Sequence, residues 1–297
     1  MQKKFGVSAL KKVLITGGNG FVGKAITELF QCFGCDVFIA SRASGCDIAD
    51  EKSVEEFGEK IKDCGTIIHC AADLSQKTSI FDVNVKGSWN IFSLATKLKC
   101  KNIIYISSVP VIGVPKTLPI AENHAVLPMN IYHLSKYFAE SLLELPIFKS
   151  INCCTLRISS PIGTGMPSNR IFSVFVNNCI KNENIEICGK GGRVQNYIDV
   201  RDIAKAVWAV DKHFEEKNGG RELFLIGNTS ISNLDLAKKC IEITNSKSQI
   251  LFDGIDVDEN VRWVLSCEKA KKILGFVPEI SLKKSILDFF EQGKKCD

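Results

Sequence analysis

The chain has 297 residues, of which 45% are hydrophobic and 24% are charged, and its formal net charge is +5. These values are typical of an ordinary globular protein, and so small a positive charge, spread along the sequence, argues against nucleic acid binding. Lys11 and Lys12 interrupt the apolar residues near the start, so we expect neither a signal peptide nor a membrane-spanning segment.

The first predicted elements are a strand over residues 12–16 and a helix from Lys24, joined by a glycine-rich turn. Gly17, Gly20 and Gly23 have the spacing G-x-x-G-x-x-G. Since glycine has no Cβ, Gly17 and Gly20 let the backbone approach a pyrophosphate at the helix N-terminus, and Gly23 lets the helix pack on the strand. Three glycines at this spacing also occur in ordinary loops, so the rest of the sequence has to show whether they bind a dinucleotide.

Strand-like and helix-like segments alternate through the first half of the chain, which predicts βαβ units and a parallel sheet. The predicted strands are 12–16, 36–40, 66–70, 102–107 and 153–158, with helices between them such as 83–98. Later segments predict helices near 169–181, 202–214, 234–244, 266–274 and 281–290, and a strand at 223–227 that returns to the sheet. We therefore predict an α/β fold: a doubly wound parallel sheet over 1–165 and a smaller C-terminal lobe over 166–297, with part of 195–228 returning to the sheet domain and a cleft between them.

Thirteen cysteines are scattered through these elements without a regular pairing pattern. This distribution favours a reducing, cytoplasmic location over a disulfide framework. Cys32 and Cys35 have metal-like spacing, but no second pair accompanies them and they fall where the first helix ends, so we expect a structural role and no metal site.

A Tyr-x-x-x-Lys pair, Tyr132 and Lys136, lies in a predicted amphipathic helix that runs to about Leu145. Residues four apart share one helix face, so the phenol and the ammonium can address the same point. A tyrosine with a pKa of about 10 is a poor base at neutral pH, but a neighbouring ammonium lowers that pKa. The pair therefore fits proton transfer to or from an alcohol oxygen, although a lone pair of this kind is also common on helix surfaces. The preceding strand ends in Ser107 and Ser108, at the edge of the sheet where ligands bind.

With Gly113 five residues after Ser108, these segments resemble the extended short-chain dehydrogenase/reductases, the NAD-dependent epimerase/dehydratase family, over nearly the whole chain. The resemblance implies a Rossmann-like fold, catalytic residues Ser108, Tyr132 and Lys136, and a nucleotide-sugar substrate. Ser108 would orient the substrate oxygen, and Lys136 would also hold the nicotinamide ribose. It further implies a homodimer formed through helices of the sheet domain, including the one that carries Tyr132.

The resemblance places the cofactor on the glycine turn and on the ends of the following strands. Ser41 and Arg42 stand about where the family carries an acidic residue for the adenosine ribose. A carboxylate would repel a 2′-phosphate, whereas serine followed by arginine accommodates it, so NADP(H) is favoured over NAD(H) unless Arg42 is only a solvated loop residue. The predicted cofactor contacts are Gly17, Gly20, Phe21, Val22, Gly23, Ser41, Arg42, Asp47, Ile48, Cys70, Ala71, Ala72, Tyr132, Lys136 and Pro161.

Departures from the family pattern limit the predicted reaction. Members that remove water carry an Asp-Glu pair after the catalytic hydroxyl, and Val109-Pro110 stands there instead, so we do not expect dehydration. Gln195 replaces an arginine that commonly grips a diphosphate, and a second such arginine is missing near Val257. Other donors must then meet the substrate phosphates. The predicted substrate contacts are Ser108, Ser160, Lys190, Arg193 and Gln195, with Arg170 as a further candidate cation.

Three functions remain open from the sequence. The favoured one is an NADPH-dependent ketoreductase acting on a nucleotide sugar at C4, and the first alternative is a nucleotide-sugar 4-epimerase that holds NAD tightly. The second alternative is a dinucleotide-sensing protein without turnover. We expect the His133 side chain to lie on a different helix face from Tyr132, either packed against the protein or in solvent. Ser107, Arg157 and Asn84 are expected to have structural roles.

Overall fold

The computed structural model describes residues 10–215, 217 and 219–295. Residues 1–9, on which part of the signal-peptide expectation rests, lie outside the described residues. Within the described part, none of the helices combines the length and apolar character needed to cross a membrane.

The described residues form eleven strands and nine α-helices. The strands are β1 (Lys12–Thr16), β2 (Asp36–Ala40), β3 (Cys64–His69), β4 (Asn102–Ser108), β5 (Asn152–Ile158), β6 (Ser160–Ile162), β7 (Ile185–Cys188), β8 (Val194–Asp199), β9 (Gly220–Ile226), β10 (Thr229–Ser232) and β11 (Ile250–Asp253). The helices are α1 (Phe21–Cys32), α2 (Glu51–Gly58), α3 (Gly87–Lys97), α4 (Ile131–Leu143), α5 (Ile171–Lys181), α6 (Val200–His213), α7 (Asn233–Thr244), α8 (Glu268–Leu274) and α9 (Leu282–Gly293).

Six parallel strands form the central sheet in the order β2-β1-β3-β4-β5-β9. From β1 the chain builds outward to β2 on one side and to β3 on the other. Ligands of doubly wound sheets bind in the crevice outside the carboxyl ends of the strands where the strand order reverses, here β1 and β3. The predicted fold class is confirmed, and the strand predicted at 223–227 is β9.

Helices cover both faces of this sheet, which explains why almost every residue of β4 and β5 is buried. On one face α1 and α6 pack together, with the rings of Phe30 and Trp208 edge to face at 5.0 Å. On the other face Phe92 of α3 meets Tyr105 of β4 at a ring distance of 5.8 Å. The predicted catalytic residues therefore lie beside a sheet that is covered on both faces.

A third core lies beyond the sheet. Helices α5, α7 and α9 enclose buried side chains that include Phe172, Leu236 and Ile286. Two small sheets accompany them, with strand orders β10-β8-β6 and β11-β7. Strand β6 follows β5 after a single residue, so this part of the chain begins directly at the carboxyl edge of the central sheet.

Candidate active site

The glycine turn between β1 and α1 is closely packed. Gly17 has a φ of +66°, and a Cβ placed on it would lie 2.8 Å from the backbone of Ala71. A Cβ on Gly23 would overlap the carbonyl oxygen of Gly17, so α1 lies directly against the turn. Gly20 precedes α1 and offers no side-chain cap, which leaves the first N–H groups of the helix for an anion. This turn fits the pyrophosphate of a dinucleotide.

The end of β2 carries the residues that would meet the adenosine ribose. Asn19 Nδ2 donates to Ser41 Oγ at 3.3 Å, which links the glycine turn to this strand end. Arg42 is exposed and forms no ion pair with any described residue. Asp47 is also exposed, whereas Ile48 is buried against Gly87 at the start of α3.

A cavity of about 610 Å³ lies at the carboxyl ends of β1, β3, β4 and β5. That volume is within the range of small-molecule and cofactor sites. Most of the predicted site residues line this cavity, namely Gly17, Gly20, Phe21, Val22, Gly23, Cys70, Ala72, Ser108, Tyr132, Lys136, Ser160, Pro161 and Gln195. Ser41, Arg42, Asp47, Ile48, Ala71, Lys190 and Arg193 are not among the lining residues.

Lys136 is almost completely buried on α4. Its Nζ donates to the carbonyl oxygen of Ile106 at 2.5 Å and lies 4.2 Å above the ring centre of Tyr105. Burial lowers the pKa of Lys136 to about 8, because a charged ammonium is poorly solvated there. The ammonium is therefore held in place by β4 rather than by a carboxylate.

Tyr132 lies one turn earlier on α4 and lines the same cavity. Burial raises the pKa of the Tyr132 phenol to about 12, and the positive charge of Arg170 opposes this rise. The predicted lowering of the Tyr132 pKa by the Lys136 ammonium stays a prediction.

Asn84 connects α4 to the segment after β3. Its Nδ2 donates to Ser135 Oγ and to the carbonyl oxygen of Asp73, both at 2.9 Å, and its Oδ1 accepts from the Asp73 N–H at 2.7 Å. Ser135 Oγ donates in turn to the carbonyl oxygen of Tyr132 at 2.8 Å. These contacts support the structural role predicted for Asn84.

A buried ion pair fixes α4 to β5. Arg157 Nη2 lies 2.7 Å from Glu140 Oε2, and Ser107 Oγ also donates to the Glu140 carboxylate. This arrangement supports structural roles for Ser107 and Arg157. Sequence reasoning missed Glu140, whose only signal was its position one turn after Lys136 on the same helix face.

A buried histidine completes the support of the glycine turn. Thr16 Oγ1 lies 2.6 Å from His69 Nδ1, and His69 Nε2 lies 2.9 Å from Ser88 Oγ. Ser88 donates its own proton to the Asn84 carbonyl oxygen, so we assign the proton of the neutral imidazole to Nε2. Burial lowers the pKa of His69 to about 3, which keeps it neutral.

A family model for NAD-dependent epimerases and dehydratases matches residues 13–227. The chain belongs to the NAD-dependent epimerase/dehydratase family. A Methanocaldococcus jannaschii protein assigned as a UDP-glucose 4-epimerase is 30% identical to it, over 92% of this chain and 95% of that protein. The dTDP-4-dehydro-6-deoxyglucose reductase of Escherichia coli is 26% identical over the same shares of the two chains. The fold matches that of the Thermotoga maritima UDP-glucose 4-epimerase with UDP-glucose, with a TM-score of 0.86, 23% identity, and coverage of 96% of this chain and 99% of that one.

The turn at 189–193, where the sequence suggested an anion site, is folded onto the carboxylates of Asp258 and Glu259. Glu259 accepts from the N–H groups of Lys190 at 2.9 Å and Gly192 at 2.5 Å. Arg193 Nη1 lies 3.1 Å from Asp258 Oδ2. The structure therefore places Lys190 and Arg193 outside the cavity wall, because their turn is folded onto its own acidic neighbours.

Gln195, which stands where this family commonly has an arginine, does line the cavity. Its amide oxygen accepts from Arg193 Nε at 3.0 Å and from Nη2 at 3.1 Å. Arg193 thus does not line the cavity itself but is hydrogen-bonded to Gln195, which does.

His133 was expected to face away from the reacting residues, and this was wrong. Its ring centre lies 5.4 Å from that of Tyr132, and it lines the same cavity. The reason is its position in the first turn of α4, where the His133 N–H donates to the Asn130 side chain. Side chains in this turn lie beside the cavity. Sequence reasoning also missed the wall formed by Ser159, Met166 and Tyr197.

The described cysteines form no disulfides with one another. Among the described residues there is no group of three or more His, Cys, Asp or Glu side chains placed to hold a metal ion.

Proposed function

We propose that the protein catalyses reversible hydride transfer at a secondary alcohol or ketone of a nucleoside diphosphate sugar, at C4 of the sugar. The observation that carries this proposal is the single cavity in which Ser108, Tyr132 and Lys136 meet the glycine turn. Two relatives described above support the substrate class. The M. jannaschii protein is assigned as a UDP-glucose 4-epimerase, and the E. coli protein is a reductase of a dTDP-linked sugar.

Each of the three residues has a proposed role in the reaction. Ser108, at the end of β4, orients the substrate oxygen, and Tyr132 transfers the proton to or from that oxygen. Lys136, fixed by Ile106, binds the ribose of the cofactor. When it is bound, the nicotinamide accepts the hydride or returns it.

The cavity also limits the reaction. Val109 is buried and Pro110 lines the cavity just after Ser108, so no carboxylate stands there to remove a proton for dehydration. For the substrate diphosphate we propose the N–H group of the Gln195 amide as a donor, with Arg193 holding that amide in place. Ser160 lies on the same wall.

The cofactor proposal rests on Arg42. An exposed arginine after β2, with Ser41 beside it and no carboxylate pairing with it among the described residues, suits the 2′-phosphate of NADP(H). This favours the NADPH-dependent ketoreductase. A second candidate is a 4-epimerase with bound NAD, and the relative from M. jannaschii favours it.

The test is to identify the dinucleotide that the purified protein retains and to assay both reactions. One sample receives UDP-glucose with NAD⁺ or NADP⁺, and a second receives dTDP-4-dehydro-6-deoxyglucose with NADPH. Oxidation of NADPH indicates the ketoreductase, and conversion of UDP-glucose to UDP-galactose with retained NAD indicates the epimerase. If only uncharged ketones are reduced, the proposed substrate class is wrong; if a dinucleotide is retained but neither nucleotide sugar nor ketone is converted, the non-catalytic alternative stands.

A further inference from the structure

His133 is a half-buried side chain of the cavity wall to which the proposed reaction gives no role. It follows Tyr132 in the first turn of α4, and the two ring centres lie 5.4 Å apart. Its backbone N–H donates to Asn130, but its imidazole forms no hydrogen bond or ion pair with any described residue, and its Nδ1 atom is buried without a partner. The ring is therefore free to bind a ligand in the cavity.

The contacts of α4 show on which side of the cavity His133 lies. Residues seven apart are two turns apart on one helix face, so His133 shares a face with Glu140, which pairs with Arg157 of β5. Ser135, two residues after His133, lies on the nearly opposite face and is bound by Asn84, which also holds the segment after β3. His133 therefore lies on the β5 side of the helix.

The β5 side of the cavity is where the predicted substrate contacts lie. Ser160, on β6 just after β5, lines the cavity, and Gln195 on the neighbouring strand β8 does so too. The glycine turn after β1 and the segment after β3, where the cofactor contacts are predicted, belong to the other half of the sheet. We therefore expect the His133 ring to lie beside the substrate rather than beside the dinucleotide.

The His133 ring is uncharged at neutral pH, because burial lowers its pKa below the ordinary value. A neutral imidazole has one N–H donor and one acceptor nitrogen. It therefore matches a hydroxyl group, which can also both donate and accept. The group nearest to it on α4 is Tyr132, which acts at the reacting oxygen in the proposed reaction.

We propose that His133 is a specificity-determining residue whose imidazole hydrogen-bonds to a hydroxyl of the substrate sugar close to the reacting carbon. For a reaction at C4, the candidate groups are the hydroxyls at C3 and C6. A sugar without the contacted hydroxyl leaves the imidazole unpaired and binds more weakly. This inference rests on the proposed function, because it assumes that the substrate is a nucleotide sugar.

The experiment is a calorimetric titration of the dinucleotide-loaded protein with UDP and with UDP-glucose, and it needs no turnover. His133→Phe keeps an aromatic ring but has no hydrogen-bonding nitrogen. We expect it to bind UDP-glucose about three- to tenfold more weakly than wild type does, the range for loss of one neutral hydrogen bond. Its affinity for UDP, which has no sugar beyond the nucleotide, should not change.

Two further variants separate hydrogen bonding from packing. His133→Gln has an amide that still donates and accepts, so it should restore most of the affinity for UDP-glucose. His124→Phe changes a histidine that is not among the residues lining the cavity, and it should leave both affinities unchanged. If the protein binds thymidine nucleotides more tightly, dTDP and dTDP-glucose replace UDP and UDP-glucose.

The 3-deoxy and 6-deoxy analogues of the bound nucleotide sugar identify the hydroxyl. Wild type and His133→Phe should bind the analogue that lacks the contacted hydroxyl equally well, and should still differ for the other one. If the two proteins differ by the same factor for both analogues, neither hydroxyl is the contact and the inference is overturned.

The inference also fails if His133→Phe binds UDP-glucose as well as wild type does, or if it loses the same factor for UDP and UDP-glucose. In both cases the proposed function stands as long as the wild type binds and converts a nucleotide sugar. If the wild type binds neither UDP-glucose nor dTDP-glucose, the proposed substrate class fails, and this inference fails with it.

Discussion

The Glu140 carboxylate on α4 accepts hydrogen bonds from the guanidinium of Arg157 on β5, and both side chains are buried. The pair fastens the helix of Tyr132 and Lys136 to the sheet strand whose end forms the opposite wall of the cavity. Its effect on stability can be measured separately from the chemistry of the site.

Glu140→Gln should lower the free energy of unfolding by about 3 kcal/mol, because it leaves the Arg157 charge buried without a counter-charge. In the double variant Glu140→Gln/Arg157→Met the buried charge is gone, so stability should recover substantially. Urea denaturation of the two single variants and the double variant measures both effects. A double variant that is no more stable than Glu140→Gln would contradict this account.

Tyr132→Phe keeps the ring and removes only the hydroxyl. Turnover should fall by about 10²- to 10⁴-fold, since general acid–base catalysis contributes that much, while dinucleotide binding persists. Lys136→Ala should impair both turnover and dinucleotide binding. Steady-state kinetics together with dinucleotide fluorescence separate the two results, and a Tyr132→Phe protein with most of its activity would refute the proposed mechanism.

Arg42→Ala should weaken NADPH binding about ten- to a hundredfold, the range expected for loss of one charge-assisted hydrogen bond. NADH binding should be nearly unaffected. The exposed Lys52, on α2, provides a matched control, because Lys52→Ala removes a nearby positive charge that is not at the end of β2. Calorimetric titration with both dinucleotides checks this, and a wild type that prefers NADH would remove the main support for the ketoreductase.

His69 should make the protein sensitive to mild acid. Its pKa is about 3 in the folded protein against an ordinary value of 6.5, so the unfolded chain binds the proton first. Stability is therefore present above pH 6.5 and is lost as the pH falls towards the folded value, by up to roughly 5 kcal/mol. His69→Gln should flatten this dependence between about pH 6.5 and pH 4, whereas His124→Gln, a loop variant outside the network, should not. Thermal unfolding measured across this pH range tests the prediction. The same dependence of stability on pH in wild type and both variants would contradict the low pKa of His69.

If the homodimer that the family resemblance implies forms through α3 and α4, two exposed aromatic side chains lie in its interface. Trp89 on α3 is 37% exposed and Phe138 on α4 is 43% exposed. A charge at Phe138 would be costly in an apolar contact, so Phe138→Glu should yield a monomer. Val257→Glu, at a residue 94% exposed in a loop after β11, is the control and should leave the assembly unchanged. Light scattering on both proteins tests this, and a monomeric wild type would exclude the dimer.

The sequence predicted what depends on local pattern. The periodicity of the strands and helices, the glycine turn and the Tyr132–Lys136 spacing all have short-range causes, and the structure confirms the fold that they implied. It could not show where Lys136 Nζ would point, since the acceptor on Ile106 lies on β4, 30 residues earlier in the chain. The same is true of the turn at 189–193, whose backbone N–H groups donate to Glu259, 67 or more residues further along the chain. Short strands such as β6 and β10 were also missed, because they carry too few residues for a pattern.

The return of β9 to the central sheet bears on whether the cofactor-binding half could be used as a separate module. Strand β9 covers the outer edge of β5, and α6 covers Phe30 on one sheet face, yet both elements come after residue 165. A fragment ending at that residue would keep the glycine turn and Tyr132 but would expose an unpaired strand edge and an apolar face. Such an edge promotes aggregation. We therefore expect that transplanting or expressing the dinucleotide-binding half alone requires these later segments.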